Sequence, residues 1–451
     1  MGRSGRGAAR LLRARGLEVT LLESRENPHL QRQAAELRQE GIEVRLGVPL
    51  SADACLADPA RSPEGVVVSP GIRWDHPVLE ELRRRGVGVQ GEMVPAWESS
   101  RGVPWIGITG TNGKTTVTHL VHHLLAAAGL DAPLCGNVGF SAAELALDRM
   151  AAAADPPDWL VVELSSYQIE AAPQIAPAIG VWTTLTPDHL ERHGTLDNYR
   201  AIKRLLLENS TVRILNADDP DLQAHAASWD RADWVSAGPA DALPAAVDPF
   251  LWIEEGMVTG RRGALFPADC LAMPGEHNRQ NLVMAAAVAL HAGVEPAVME
   301  GGFRSFPGVP HRLERIREHR GVTFFNDSKA TNYDAAEVAL RAMTGPAVVL
   351  AGGRAKVGDA GAWLAELGRS AAAVVLFGEA GETFAAMLAG SGYGGTVRTT
   401  RDLEEAVPLA AALAATTGSP NVLLSPACAS FDQYADFEAR GDHFRQLVLS
   451  L

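Results

Sequence analysis

Short apolar runs, each ending on a glycine or a polar residue and each followed by a helical period, recur along the whole chain. In the first ninety residues Val19-Thr20-Leu21-Leu22 stops at Glu23, Val66-Val67-Val68 stops at Ser69-Pro70-Gly71, and Leu79 to Arg85 has helical spacing. Strands apolar on both faces that alternate with helices predict a parallel α/β sheet covered on both sides. That rhythm lacks one element. Gly2-Arg3-Ser4-Gly5-Arg6-Gly7 reads as the glycine turn that follows a first strand, so this domain is expected to lack that strand.

Further along, Trp105-Ile106-Gly107-Ile108, Asp158 to Glu163, Gly180 to Thr183 and Arg213 to Leu215 predict buried strands, and Val117 to Ala128 and Leu282 to His291 predict helices. After Phe306-Pro307-Gly308-Val309-Pro310 the pattern starts again, with strands at Val322 to Phe325, Ala347 to Gly353, Ala373 to Gly378 and Asn421 to Ser425. The reading is α/β with three domains. Residues 1–92 form a Rossmann-like domain truncated at its first strand, 93–308 a central P-loop ATPase domain, and 309–451 a C-terminal Rossmann-like domain.

Composition narrows the function classes. The chain has 451 residues, 47% of them hydrophobic, and a net charge of -14, which argues against a sequence-independent nucleic-acid binder needing a basic face. No apolar run reaches the roughly 18 residues of a membrane span. The four cysteines, at 55, 135, 270 and 428, have neither CxxC spacing nor a disulfide framework, so a reducing cytoplasm is the expected compartment.

The sharpest chemistry lies in Gly110-Thr111-Asn112-Gly113-Lys114-Thr115-Thr116, between a predicted strand and a predicted helix. Glycines let backbone N–H groups turn inward on phosphate oxygens, the helix N-terminus adds positive potential, Lys114 brings a cation, and Thr115 offers a hydroxyl to Mg²⁺. Ile108 stands where the strict Walker pattern has glycine, so the loop is a variant. Glu163 ends a neighbouring strand, where a carboxylate holds Mg²⁺ or its water; a solvated strand end is the bland reading. His189 is a possible second metal ligand or a structural histidine. Lys203 falls on a predicted helix, where most lysines are surface charges.

Asn278 and Asn281 either cap the helix after Gly275 or read a nucleobase. Arg312, Asp327 and Lys329 suit a ribose and a triphosphate, with a helix cap at Asp327 or Ser328 as the alternative. Cys428 reads as a packed thiol rather than a nucleophile.

Taken in this order, the motifs resemble the Mur ligase family, over nearly the whole chain. Gly110 to Thr115 and Glu163 are family-wide, while Asn326-Asp327-Ser328-Lys329-Ala330-Thr331-Asn332 and Ser425-Pro426-Ala427-Cys428-Ala429-Ser430 resemble its D-glutamate-adding branch. The resemblance implies ATP-dependent amide-bond formation in peptidoglycan synthesis. UDP-N-acetylmuramoyl-L-alanine would be activated as an acyl phosphate and attacked by D-glutamate, with ADP and phosphate released and two Mg²⁺ ions as cofactors. It implies Lys114, Glu163, His189 and Lys203 as the catalytic set. Thr115 and Glu163 would hold one metal, His189 and a carbamylated Lys203 the other.

By the same resemblance ATP meets Gly110, Thr111, Asn112, Gly113, Lys114, Thr115, Thr116, Asn278, Asn281, Arg312, Asp327 and Lys329. The uridine diphosphate falls at Ser24, Arg25, Ser69, Pro70 and Gly71, and the muramoyl-alanine end at Asn137, Ser165 and His189. D-Glutamate falls at Thr331, Lys356, Ser430 and Phe437. Small molecules are the only partners implied, and the enzyme is expected to act as a cytoplasmic monomer. Two departures stand out: the family's first strand is absent, and Arg354 replaces an Asp found in some members. A sibling or folylpolyglutamate-type ligase is the nearest alternative, and a non-catalytic nucleotide-binding regulator a more distant one.

Overall fold

The strands expected in the first ninety residues form, but as two separate pairs. In the computed structural model, which describes residues 1–56, 63–152, 155–273, 275–355 and 358–451, β1 (Thr20–Glu23) pairs in parallel with β2 (Glu43–Leu46). Likewise β3 (Gly65–Val68) pairs in parallel with β4 (Gly88–Gly91), and neither pair joins another sheet among the described residues. The expected glycine turn at Gly2 to Gly7 is instead the start of a helix, Arg3–Ala14. Its glycines serve close packing: a Cβ on Gly5 would lie 2.7 Å from Ser69 Oγ, and one on Gly7 2.6 Å from Ser141 Oγ. Glycine freedom and glycine smallness look alike in sequence, and here smallness applies.

A nine-stranded sheet follows. It comprises β5 (Trp105–Thr109), β6 (Leu134–Gly136), β7 (Leu160–Glu163), β8 (Ile179–Trp182), β9 (Val212–Asn216), β10 (Asp233–Ser236), β11 (Pro249–Glu254), β12 (Met257–Gly260) and β13 (Gly263–Pro267). Their order is β13-β12-β11-β10-β9-β8-β5-β7-β6. The strands from β6 to β11 in that order run parallel, and β12 and β13 are antiparallel.

Alternation along β5 explains the two layers. Ile106 and Ile108 pack with the helices Lys114–Ala127 and Glu276–His291, whereas Trp105 packs on the other face with Tyr199 and Leu206 of the helix Leu196–Asn209. Each fully buried Leu or Ile there contributes roughly 1.5–3 kcal/mol relative to an exposed one. The antiparallel edge was not anticipated. Its signal is the two-residue turn Glu255-Gly256, both at positive φ, which joins Glu254 to Met257.

The last sheet contains β14 (Glu314–His319), β15 (Val322–Asn326), β16 (Ala347–Gly352), β17 (Ala371–Phe377), β18 (Thr396–Thr399) and β19 (Asn421–Leu424). Its order is β14-β15-β19-β16-β17-β18, parallel except for β14. Because β19 inserts between β15 and β16, loops distant in sequence leave the same carboxyl edge side by side, the place where open α/β sheets bind ligands.

Contact density divides the chain into two units, Met1–Phe306 and Pro307–Leu451. The break falls two residues before the expected 308/309 boundary, and residues 1–92 lie within the first unit. Among the described residues no helix is long and apolar enough to cross a membrane.

Candidate active site

The glycine loop emerges from β5 and is fastened to the end of β8. Thr111 N–H donates to Thr184 O at 2.8 Å and Asn112 N–H to Thr184 Oγ1 at 2.9 Å, while Asn112 O accepts from Thr183 Oγ1. Gly110 has φ 148°, and a Cβ there would lie 1.9 Å from Thr183 Oγ1; Gly113, at φ 82°, caps the following helix. Only glycine fits both demands at position 110. Lys114 Nζ folds back on the loop, donating to Gly110 O and Thr111 O at 2.9 Å each. Thr115 and Thr116 are buried in the first helical turn.

Glu163 ends β7 directly beside Ile108 of β5 and is buried. Its Oε1 accepts from Asn137 Nδ2 at 2.8 Å, whereas Oε2 is buried without a partner. A carboxylate oxygen left in that state costs several kcal/mol, which a cation on the same oxygen removes. The solvated strand-end reading of Glu163 therefore fails, and the donor chemistry fits Mg²⁺. Among the described residues no three His, Cys, Asp or Glu side chains form a metal cage.

Lys203 is not the surface charge its helix suggests. It is 1% exposed, donates to Gly110 O at 2.9 Å and Thr109 Oγ1 at 3.4 Å, and sits 4.5 Å from the ring centroid of Tyr199. Burial first, and then the charge of Lys114, hold its pKa well below the usual lysine value, against the pull of Asp188 and Glu163. Tyr199 lies one helical turn before Lys203 and reaches Thr111 Oγ1 with its hydroxyl at 3.4 Å. Its role was missed in sequence, although the i, i+4 spacing was the signal.

His189 caps the four-residue helix Leu190–His193 at φ 54° and faces Asp188 and Glu191 at 3.5 and 3.7 Å. Its ring lies 5.1 Å from Tyr167 and 6.5 Å from Tyr199, so Lys203 and His189 both flank Tyr199. Ser165 caps the helix Ser166–Ala171 in a capping box with Gln168, whose amide also donates to the buried Glu92 at 3.1 Å. Asn137 N–H donates to Glu163 O at 2.9 Å, which places Asn137, Ser165 and Glu163 at one sheet edge.

Asn278 and Asn281 are not caps, because the helix starts at Glu276 with Gly275 as its N-cap. Both are buried, and Asn281 Nδ2 donates to Asn278 Oδ1 at 3.2 Å. A cavity of about 270 Å³ opens beside Asn278, lined also by Ala268, Leu271, Met273, Gly275 and Arg279. Ser24 and Arg25 follow β1, with Arg25 N–H on Glu23 Oε1 at 3.0 Å; Ser69, Pro70 and Gly71 follow β3.

In the second unit Asp327 follows β15 and accepts from Leu313 N–H at 3.2 Å and Ser425 Oγ at 3.0 Å. Burial pushes its pKa up to about 7 against those hydrogen bonds. The cap reading of Asp327 and Ser328 fails, since Asn332 caps the next helix. Lys329 Nζ lies 5.6 Å from the Phe437 ring, and Thr331 N–H donates to Lys329 O at 2.8 Å. Ser430 is buried beyond β19, Arg312 is exposed, and Arg354 pairs with Glu379 at 3.0 Å. Lys356 lies outside the described residues. Cys428 is buried, as a packed thiol should be.

Sequence reasoning also missed Arg440. Fully buried, it donates to Ser328 Oγ and O at 3.0 and 2.8 Å and to Cys428 O at 3.1 Å, binding together the loops after β15 and β19.

Residues 108–289 match the Mur ligase middle domain and residues 311–428 the Mur ligase glutamate ligase domain. Over 449 residues the chain is 56% identical to the UDP-N-acetylmuramoylalanine--D-glutamate ligase of Parasynechococcus marenigrum, covering 99% of this chain and 96% of that protein. The chain belongs to the Mur ligase family. A relative with the same description from Synechococcus elongatus is 48% identical over 459 residues, covering 100% of this chain and 98% of its own.

Among solved structures, the UDP-N-acetylmuramate-alanine ligase of Thermotoga maritima aligns over 100% of this Mur ligase and 98% of itself, with a TM-score of 0.57 and 20% identity. A Mycobacterium tuberculosis folylpolyglutamate synthase covers 79% of this chain and 93% of its own, with a TM-score of 0.54 and 19% identity. At such identity both speak to the fold alone.

Proposed function

We propose that this Mur ligase joins D-glutamate to UDP-N-acetylmuramoyl-L-alanine at the expense of ATP, through an acyl phosphate on the L-alanine carboxylate, in peptidoglycan synthesis. The observation that carries the reading is the unpartnered Glu163 Oε2, buried beside a glycine cradle whose Gly110 carbonyl gathers both Lys114 and Lys203. The relatives' descriptions name the two substrates.

Charge crowding is the obstacle to phosphorylating a carboxylate. Lys114, released from the loop carbonyls it now binds, and the inward N–H groups of Gly110 to Thr116 offset repulsion between carboxylate and triphosphate. Thr115 and Glu163 would hold one Mg²⁺, His189 and Lys203 a second. Bound there, Mg²⁺ supplies charge neutralisation and orients the γ-phosphoryl group for in-line transfer. Lys203 serves best as its carbamate, formed when its amine attacks CO₂ and loses a proton; the lowered pKa favours the neutral amine this needs.

Asn137, Ser165 and His189 orient the muramoyl-alanine end, and Ser24, Arg25 and Ser69 to Gly71 the uridine diphosphate. Asn278, beside its cavity, and Asn281 meet ATP, as do Arg312, Asp327 and Lys329. Thr331, Lys356, Ser430 and Phe437 take D-glutamate. The functional division would be 1–92 for the nucleotide substrate, 93–308 for ATP and 309–451 for D-glutamate, in a cytoplasmic monomer. Phosphate release by the purified enzyme tests the reading. Release should require both UDP-N-acetylmuramoyl-L-alanine and D-glutamate, and release with folate and L-glutamate instead would overturn it.

A further inference from the structure

The loop after β3 and the short helix Leu190–His193, capped by His189, are tied together twice. Arg73 Nη1 donates to Glu191 O at 3.1 Å, and Arg192 Nη2 donates to Ile72 O at 3.1 Å. Each arginine crosses to the backbone of the other's loop. Both guanidinium groups are themselves aimed. Arg73 is gripped by Asp75 through Nε at 2.9 Å and Nη2 at 2.7 Å. Arg192, largely buried, lies 4.7 Å over the Tyr167 ring and reaches Glu170 Oε2 at 3.4 Å.

The two tied segments carry different chemistry. Ile72 N–H donates to Ser69 O at 3.0 Å, so one partner is the tight turn that presents Ser69, Pro70 and Gly71. The other is a helix of four residues, too short to hold itself. Its N-cap, His189, adopts the left-handed backbone that a non-glycine residue avoids. A strained residue keeps such a conformation only when its surroundings impose it. Here the imposing contacts include the two arginine bonds, the hydrogen bond between His193 Nε2 and Ser166 Oγ at 2.9 Å, Asn198 Nδ2 on His193 O at 3.2 Å and the His189 N–H on Asp188 Oδ1 at 2.9 Å.

We propose that Arg73 and Arg192 form a reciprocal latch through which a uridine diphosphate group seated at Ser69 to Gly71 sets the position of His189. Both are positioning residues. The inference rests on the nucleotide-substrate reading above and adds a route from the nucleotide end to the reacting end. Binding at the turn steadies Ile72 O and Arg73; these steady Glu191 and Arg192, and with them the backbone of His189. Because both acceptors are carbonyls, side-chain changes at Ile72 or Glu191 leave the latch intact.

The test is hydrogen exchange of the full-length enzyme with and without uridine diphosphate, read at 69–73 and at 192–194. The latter amides close the short helix, donating to His189 O and Leu190 O. In the wild type both segments should slow on binding. In R73A, whose side chain is half-exposed, and in R192M, which keeps the aliphatic stem, 69–73 should still slow while 192–194 should not.

In phosphate release each variant should lose about tenfold in kcat, with KM for D-glutamate unchanged. The double variant should be no more than about twofold worse than either single one, because both remove the same coupling. Protection of 192–194 that persists in both variants, or losses that multiply in the double variant, would overturn the latch alone. Failure of uridine diphosphate to protect 69–73 even in the wild type would overturn the nucleotide assignment and the latch with it.

Discussion

Replacing Lys203 by methionine separates what the residue does for catalysis from what it costs the fold. The amine is almost fully buried, and its two partners, Gly110 O and Thr109 Oγ1, are neutral. Neither needs it. Gly110 O also accepts from Lys114, and the Thr109 hydroxyl already donates to Leu164 O at 2.9 Å. A methionine of similar length would therefore leave no orphaned polar atom and would remove a charge that burial and Lys114 both disfavour.

Burying that amine costs the fold either the desolvation of its charge or the proton that the unfolded chain keeps, so exchanging it for a well-packed apolar group stabilises by about 1–4 kcal/mol, and the lost contact with Tyr199 subtracts about 0.5–2 kcal/mol. The expected net is a gain of about 1–2 kcal/mol, or roughly 2–4 °C in Tm for a unit of this size. Turnover should meanwhile fall by roughly a hundredfold or more, the scale of losing one group that acts on the transition state. Differential scanning calorimetry and phosphate release read the two effects on one sample. A K203M enzyme that melts several degrees lower, or one that keeps near-normal turnover, refutes the reasoning.

Glu163→Gln keeps an acceptor for Asn137 but removes the anionic oxygen offered to Mg²⁺. Turnover should drop by roughly 10²–10³-fold with little change in Tm, and a Mg²⁺ titration of turnover that matches the wild type would contradict the assignment. Gly110→Ala forces a Cβ to 1.9 Å from Thr183 Oγ1 at φ 148°, so the first unit should lose about 3 kcal/mol or more in denaturant unfolding; an unchanged midpoint would refute the steric argument for glycine at this position.

Asp327 gives a pH signature. Its folded pKa of about 7 lies above the ordinary value of 3.8, so the unfolded chain releases this proton first. The site's contribution is therefore favourable at low pH, is lost between about pH 4 and 7, and changes no further above that, by on the order of 4 kcal/mol. The Tm of D327N minus that of the wild type should climb across that window, and a flat difference would show that Asp327 ionises normally.

The parts of the site that were legible in sequence are those whose chemistry is local. Gly110 to Thr116 declares its function because glycine freedom, a lysine and a helix start are all encoded within seven residues. Glu163 was placed at a strand end, yet its unpartnered oxygen depends on Asn137 and on the neighbours of β7, which no single segment specifies. The Gly2 to Gly7 stretch was misread because a turn and a close helix contact call for the same residue, and only the positions of Ser69 and Ser141 decide between them.

The cations that escaped the reading share one physical property. Arg440, Arg73 and Arg192 all donate to backbone carbonyls: Cys428 O, Glu191 O and Ile72 O respectively. A salt bridge leaves two complementary residues in a sequence, and a charge-alternation pattern can reveal them. A carbonyl acceptor leaves nothing, since every residue has one. Such a cation looks like an ordinary surface charge until the fold turns a loop towards it, so the residues that hold loops in place within each unit are those that sequence reading is least equipped to find.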